Sequence, residues 1–220
     1  MISILIGQVF DIKLEQSRIE LDISTHNMDI VKVEAKSYGY EEKAKEYYKY
    51  RINENTKLTI PQTSKLIIRA IGNIACSHSA VVLNKCEGDF AKIRISGVVD
   101  SIDIECKLCS IEFNVFVNRG KALVDNGIVK GTFRANNFYW TFMNANANFK
   151  DFSSPGRIIN KDGHIKIKAS SNLKVIYSKD LGSFKVFGKK VDCFACSGEE
   201  GSSDKLLYVD QSNGSFEISR

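Results

Sequence analysis

The sequence predicts an all-β chain, wound as a right-handed β-solenoid-like or rolled β-sheet architecture with one short helix near residues 40–50. Three observations carry this. Pro occurs only at Pro61 and Pro155, while Ile, Val, Phe and Tyr recur with polar residues between them, the pattern of pleated, half-buried strands. From Lys57 onward, strand-like pieces start about every 7 to 10 residues, a spacing typical of sandwiches, barrels and solenoids. The linkers between them lack two-residue hairpin signals, with Asn126-Gly127 the one exception, which argues against a sandwich.

In chain order, residues 18–24 and 29–35 alternate with period two and read as strands with one wet face, separated by the turn chemistry of Thr25-His26-Asn27-Met28. Residues 38–50, YGYEEKAKEYYKY, are rich in Glu, Lys and Ala. Glu42 with Lys45 and Lys43 with Glu46 stand at i,i+3, so this is the helix candidate. Strands follow at 57–60, 65–70, 74–76, 80–83, 91–96, 102–106, 110–117, 122–124 and 128–133. Cys76, Cys86 and Cys106 lie 10 and then 20 residues apart. A solenoid turn of about 20 residues would therefore stack Cys86 beside Cys106, within the roughly 4.4 to 6.8 Å that a disulfide spans.

Residues 137–149 put Phe138, Trp140 and Phe142 on one strand face, expected to be buried, and Asn137, Tyr139 and Thr141 on the other. SSPG at 153–156 and SGEEGSSD at 197–204 are breaks, the second reading as a mobile loop. A strand, the turn Ser212-Asn213-Gly214 and a last strand close the chain. Neither break is strong enough to divide it. Residues 1–220 form one domain, with 1–60 a cap of strands and helix and 205–220 the closing strands.

With 43% hydrophobic and 26% charged residues, disorder and collagen-like fibres are excluded, and no apolar run reaches the 20 or so residues of a membrane span. The opening MISILIGQVF lacks a basic n-region and a cleavage site, so no signal peptide is expected and the location expected is cytoplasmic.

The opening strands SRIELDIST and DIVKVEAKSYGYEEKAKEYYKYRI, the rungs KCEGDFAKIRISGVVDSIDIECK and the closing LLYVDQSNGSFEIS together resemble the putative adhesin family, also called the domain of unknown function 4097. Asn213-Gly214-Ser215-Phe216 is the good copy of that family's Asn-Gly rung motif. Gly88-Asp89-Phe90 and Asp162-Gly163-His164-Ile165 are partial ones. The resemblance implies a solenoid-like or rolled β fold and brings no catalytic residues.

Four cysteines form two C-x-x-C pairs, Cys106 with Cys109 and Cys193 with Cys196. Two knuckles could place four thiolates about 2.3 Å from one zinc. Buried thiols acting as small hydrophobes, or disulfides, are the alternatives. The reading adopted has no metal and no cofactor. His26, His78 and His164 belong to no nucleophile motif, and no phosphate loop, H-E-x-x-H or G-x-S-x-G occurs.

Charge is concentrated between Gly163 and Lys190, where Lys166, Lys168, Lys174, Lys179, Lys185, Lys189 and Lys190 stand against Asp180. Lys166, Lys168 and Lys185 are the candidate anion-binding residues, on a face that suits anionic polymers. A solvated strand face that blocks edge pairing is the plainer explanation. The function expected is a non-enzymatic β-solenoid scaffold or interaction module, adhesin-like, with a protein or anionic polymer as partner. The alternatives are a carbohydrate-active enzyme on a β-helix and an anion-binding module using residues 163–190.

Overall fold

The computed structural model describes residues 8–14, 20–26, 31–35, 39–44, 47–52, 54–62, 64–71, 74–76, 86–88, 91–170 and 172–220. Among them every regular element is a β-strand. All but one hairpin belong to a single large mixed sheet that is folded over and not closed.

Three long strands do the folding: Ala91–Lys107, Cys109–Asp125 and Ile128–Met143. Each passes along one layer, turns near its middle and returns along the other. Beside their first halves lie Glu20–His26 and then Thr56–Pro61 on one side. On the other side come Asn146–Phe152, Gly163–Ala169, Gly214–Ser219 and Ser183–Val186 in turn. Beside their second halves lie Lys65–Ile71, Val9–Leu14 and Tyr47–Ile52 one way, and Gly156–Lys161, Leu206–Gln211 and Lys174–Lys179 the other. All these pairings are parallel.

Along the central passes the register holds one offset, broken by an irregularity between Phe149 and Phe152. Ile93 faces Ile111, Ile111 faces Val129, Val129 faces Ala147 and Ala147 faces Ile165, and the corner contacts Asn118–Asp100 and Asn136–Asn118 span the same 18 residues. The turn length is therefore 18, not the 20 expected from the cysteines. Cys106 faces Ala70 and Val124, whereas Cys86 faces Cys76 in the separate antiparallel hairpin Ile74–Cys76 with Cys86–Gly88. The expected stacking of Cys86 on Cys106 thus fails. The strand expected at 80–83 and His78 lie outside the described residues.

One corner repeats with the same period. Leu108, Asn126, Asn144 and Asp162 all adopt left-handed backbone, with φ of 54°, 52°, 48° and 61°, a conformation in which Asn and Asp are favoured among side-chain-bearing residues. Asn126-Gly127, expected as a hairpin signal, is such a corner between parallel passes. Cys109, Gly127, Ala145 and Gly163 come next, and they are small for a steric reason. A Cβ at Gly163 would sit 2.4 Å from the carbonyl oxygen of Ala145.

Both layers end in antiparallel strands. Lys32–Glu34 and Lys189–Lys190 close the first, and Gly39–Ala44 and Cys196–Glu200 close the second. Their sequences, KVE, KK, GYEEKA and CSGEE, are dense in charge, which discourages pairing with another chain. Here the helix expected near residues 40–50 is corrected: Gly39–Ala44 and Tyr47–Ile52 form an antiparallel strand pair. Tertiary packing overrides helix propensity. Period two buries Tyr50 and Ile52, and the Phe10 ring stacks on Tyr48 and Tyr50 at 5.4 and 6.3 Å.

The core fills the space between the layers. Phe138, Trp140 and Phe142 are buried as expected, while Tyr139 is 43% exposed. Trp140, on the second layer, meets Phe113 at 5.6 Å and Phe149 at 4.9 Å on the first. Toward the C-terminal end one interior column turns polar, Phe142 giving way in register to Asn160, Gln211 and Lys179, all buried. Asn160 donates to the Gly163 and Ser215 carbonyls, Gln211 to those of Leu181, Ser183 and Gly214, and Lys179 to those of Val191 and Cys193. Backbone carbonyls at the corners thus find donors from inside the core. No helix of the described residues is long and apolar enough to cross a membrane.

Candidate binding cleft

The 18-residue period places chemistry on the outer faces as regularly as it places the core. On the first layer one outward column reads Glu34, Lys57, Asp22, Arg94, Glu112, Lys130 and Asn148, neighbour facing neighbour. The signs alternate at each step until Asn148. Arg94 reaches Asp22 at 2.9 Å and Glu20 at 3.3 Å, Lys92 reaches Glu20 at 2.7 Å, and Lys130 reaches Glu112 at 3.5 Å. Cross-strand pairs of this kind stabilise a face modestly.

These contacts also set the acidity of the face. Lys92, hydrogen-bonded to Glu20, holds that carboxyl below its ordinary value, and Ser170 together with Arg134 does the same for Asp151. Both shifts run opposite to what a proton-donating carboxylic acid requires.

The basic stretch is largely neutralised by acids outside it. Lys174 pairs with Glu199 at 2.8 Å, Lys185 with Glu217 at 3.3 Å, Lys189 with Glu200 at 2.7 Å and Lys190 with Asp192 at 2.6 Å. Lys179 is buried on carbonyls. Of the three candidate anion-binding residues, Lys185 is thus engaged, whereas Lys166 and Lys168 stand exposed on the first layer with no ion pair among the described residues.

The two C-x-x-C pairs are each closed on themselves as disulfides, with Cα atoms 6.0 Å apart in both. Cys106 and Cys109 are in the core, and Cys193 and Cys196 are at the surface beside Lys174–Lys179. Among the described residues no group of three or more His, Cys, Asp or Glu is arranged to hold a metal. His164 contacts Ser215 at 2.8 Å on the first layer.

A concavity lies on the second layer, beside the corner opposite the left-handed turns. It is an open cleft of about 580 Å³, within the range of small-ligand sites. Arg119, then Asn137 with Tyr139, then Arg157 come from three successive passes of the sheet, and Asp204, Leu206 and Tyr208 form the far wall. Gly156 makes the floor possible, because a Cβ there would sit 2.4 Å from the Phe138 carbonyl oxygen. Tyr139 and Tyr208 are each 43% exposed and flank Arg157 in register, one on either side. Arg157 donates from Nε to Asp210 at 2.7 Å, a contact that raises the guanidinium's pKa above its ordinary value, and neither Nη group hydrogen-bonds a described residue. Arg119 and Lys121 make no ion pair among the described residues.

Sequence reasoning singled out neither Arg119, Arg157 nor Tyr208. Lys121, Tyr139 and Arg157 are 18 residues apart and fall in one column once that period is known. A period of about 20 scatters them.

No protein-family model matches this chain, and no curated protein matches it. One solved structure similar to it is the crystal structure of a putative cell adhesion protein from Clostridium sporogenes ATCC 15579. The alignment covers 97% of this chain and 93% of that one, with 13% identity and a TM-score of 0.32. Neither figure establishes the family read from the sequence motifs.

Proposed function

We propose that the protein is a non-catalytic, adhesin-like interaction module that docks an extended polymer in the Tyr139–Arg157–Tyr208 cleft. The observation that carries this is the pairing of two exposed tyrosines with an incompletely engaged arginine on neighbouring strands of a rigid parallel ladder. Exposed aromatics beside arginine are the side chains most enriched where proteins bind partners. Building them on strands rather than loops fixes their spacing before a ligand arrives, which lowers the cost of ordering. Glu20, Asp22, Glu112 and Asp151 of the first layer are tied into ion pairs, and Asp204 is the one carboxylate among the cleft's described lining residues, which favours a scaffold over a glycan-cleaving enzyme with a pair of carboxyls.

Retention on a panel of immobilised polysaccharides and proteins tests the reading. Wild type should be retained by at least one polymer and release no new chain ends from it, and the double variant Tyr139→Ala/Tyr208→Ala should lose that retention. Retention that instead disappears in Lys166→Gln/Lys168→Gln would move the binding face to the basic stretch. Release of chain ends would make the protein an enzyme.

A further inference from the structure

We infer that the ligand of the cleft is an acidic polysaccharide with a two-sugar repeat, one sugar carrying a carboxylate and the next none, lying across the strands. The inference rests on the cleft reading above and goes beyond it by fixing the chemistry of the ligand. Within one outward column on the second layer, between Asp103, which lies near Arg69, and Ile176, the residues Lys121, Tyr139, Arg157 and Tyr208 each face the next in register. These four alternate cation, ring, cation, ring.

Strands of one sheet are about 4.8 Å apart, so like groups recur at roughly 9.6 Å. One step is close to the length of a pyranose in an extended chain, and two steps to a disaccharide. A sugar whose apolar face lies on Tyr139 or Tyr208 would leave its neighbours over Lys121 and Arg157. Lys121 has no ion pair among the described residues, and Asp210 engages Arg157 only through Nε. Both Nη groups of Arg157 remain to take a carboxylate with two parallel hydrogen bonds.

Arg119, beside Tyr139 in the cleft, adds a second cation with no ion pair among the described residues. Asp204 on the far wall opposes like charge there and confines the acidic groups to the Lys121–Arg157 line. An acidic polypeptide would satisfy the cations, but it offers no ring faces at the tyrosine spacing. A neutral glucan would satisfy the tyrosines and leave the cations unused.

The test is direct binding of four probes to the full chain: a hyaluronan decasaccharide, a galacturonate oligomer charged on every sugar, neutral cellohexaose and polyglutamate. Hyaluronan should bind at least tenfold more tightly than cellohexaose and several-fold more tightly than the other two, and its affinity should fall as salt rises. Tyr139→Ala and Arg157→Gln should each weaken it about tenfold and Lys121→Gln several-fold, with a cooperative unfolding transition retained because all three side chains face outward. Lys166→Gln should change nothing.

Equal or tighter binding of cellohexaose, galacturonate or polyglutamate, weakened by Tyr139→Ala, would overturn the alternating-charge ligand while the cleft reading stands. Hyaluronan binding indifferent to Tyr139→Ala and Arg157→Gln would overturn both. If none of the four binds, the ligand class proposed here is wrong, and the polymer panel decides the cleft reading separately.

Discussion

The indole of Trp140 lies 4.3 Å, centroid to centroid, from the ring of Phe133, and the two residues belong to opposite layers of the folded sheet. Both side chains are buried, and Phe133 also meets Phe113, Phe138 and Phe149. This contact joins the layers across the turn in the middle of the strand Ile128–Met143. Phe133→Ala should therefore cost about 3–5 kcal/mol in denaturant unfolding. It should also let iodide quench Trp140, which in the wild type should resist quenching, since it is the protein's single tryptophan.

The offset shared by the central passes predicts how the chain tolerates deletion. Removing residues 110–127, one full turn of 18, brings Ile128 to the place of Ser110 and preserves every corner and core column. That variant should keep a strand-type circular dichroism spectrum and a cooperative unfolding transition. Removing 20 residues from the same point keeps the inward faces inward but displaces the left-handed corner by two. It should lower the melting temperature well below that of the 18-residue deletion.

Lys179 is buried and spends its ammonium on the carbonyls of Val191 and Cys193. Lys179→Met would leave those acceptors without their donor. A loss of roughly 1–3 kcal/mol is expected, and faster amide exchange across residues 191–196 should accompany it.

Glu20 supplies a pH dependence whose sign is fixed. Its folded-state pKa is lowered, chiefly by the hydrogen bond from Lys92, so the stability it contributes is present above the ordinary glutamate value of about 4.3 and is lost as pH falls through the lower folded-state value. Between about pH 5 and pH 3 the melting temperature of wild type should fall more than that of Glu20→Gln. Added salt should narrow the difference, because the pair is exposed.

Much of the architecture was legible in the residues. Alternation along 137–142 correctly separates buried Phe138, Trp140 and Phe142 from exposed Tyr139, because a strand's two-residue repeat is a local property. The coil length was not legible from the cysteines, which sit by chance at 10 and 20. It was written instead in Asn126, Asn144 and Asp162, where only the backbone angle reveals that three different-looking turns do one job. The edge hairpin at 39–52 was misread because edge strands need Glu and Lys, the residues that also favour helices. The cleft is hidden because the coil length is: Tyr139, Arg157 and Tyr208 are neighbours only across turns.

The antiparallel, charged strands at both ends of each layer give the molecule a set length. The second layer counts eleven strands among the described residues, and ten spacings of about 4.8 Å make it roughly 48 Å from edge to edge. Charged edges of this kind oppose extension of such a ruler by another copy at its end. Molecules gathered on one long polymer would sit as separate beads, and any gain in hold would come from avidity, the summed grip of independent sites on a shared tether, rather than from growth into a fibre.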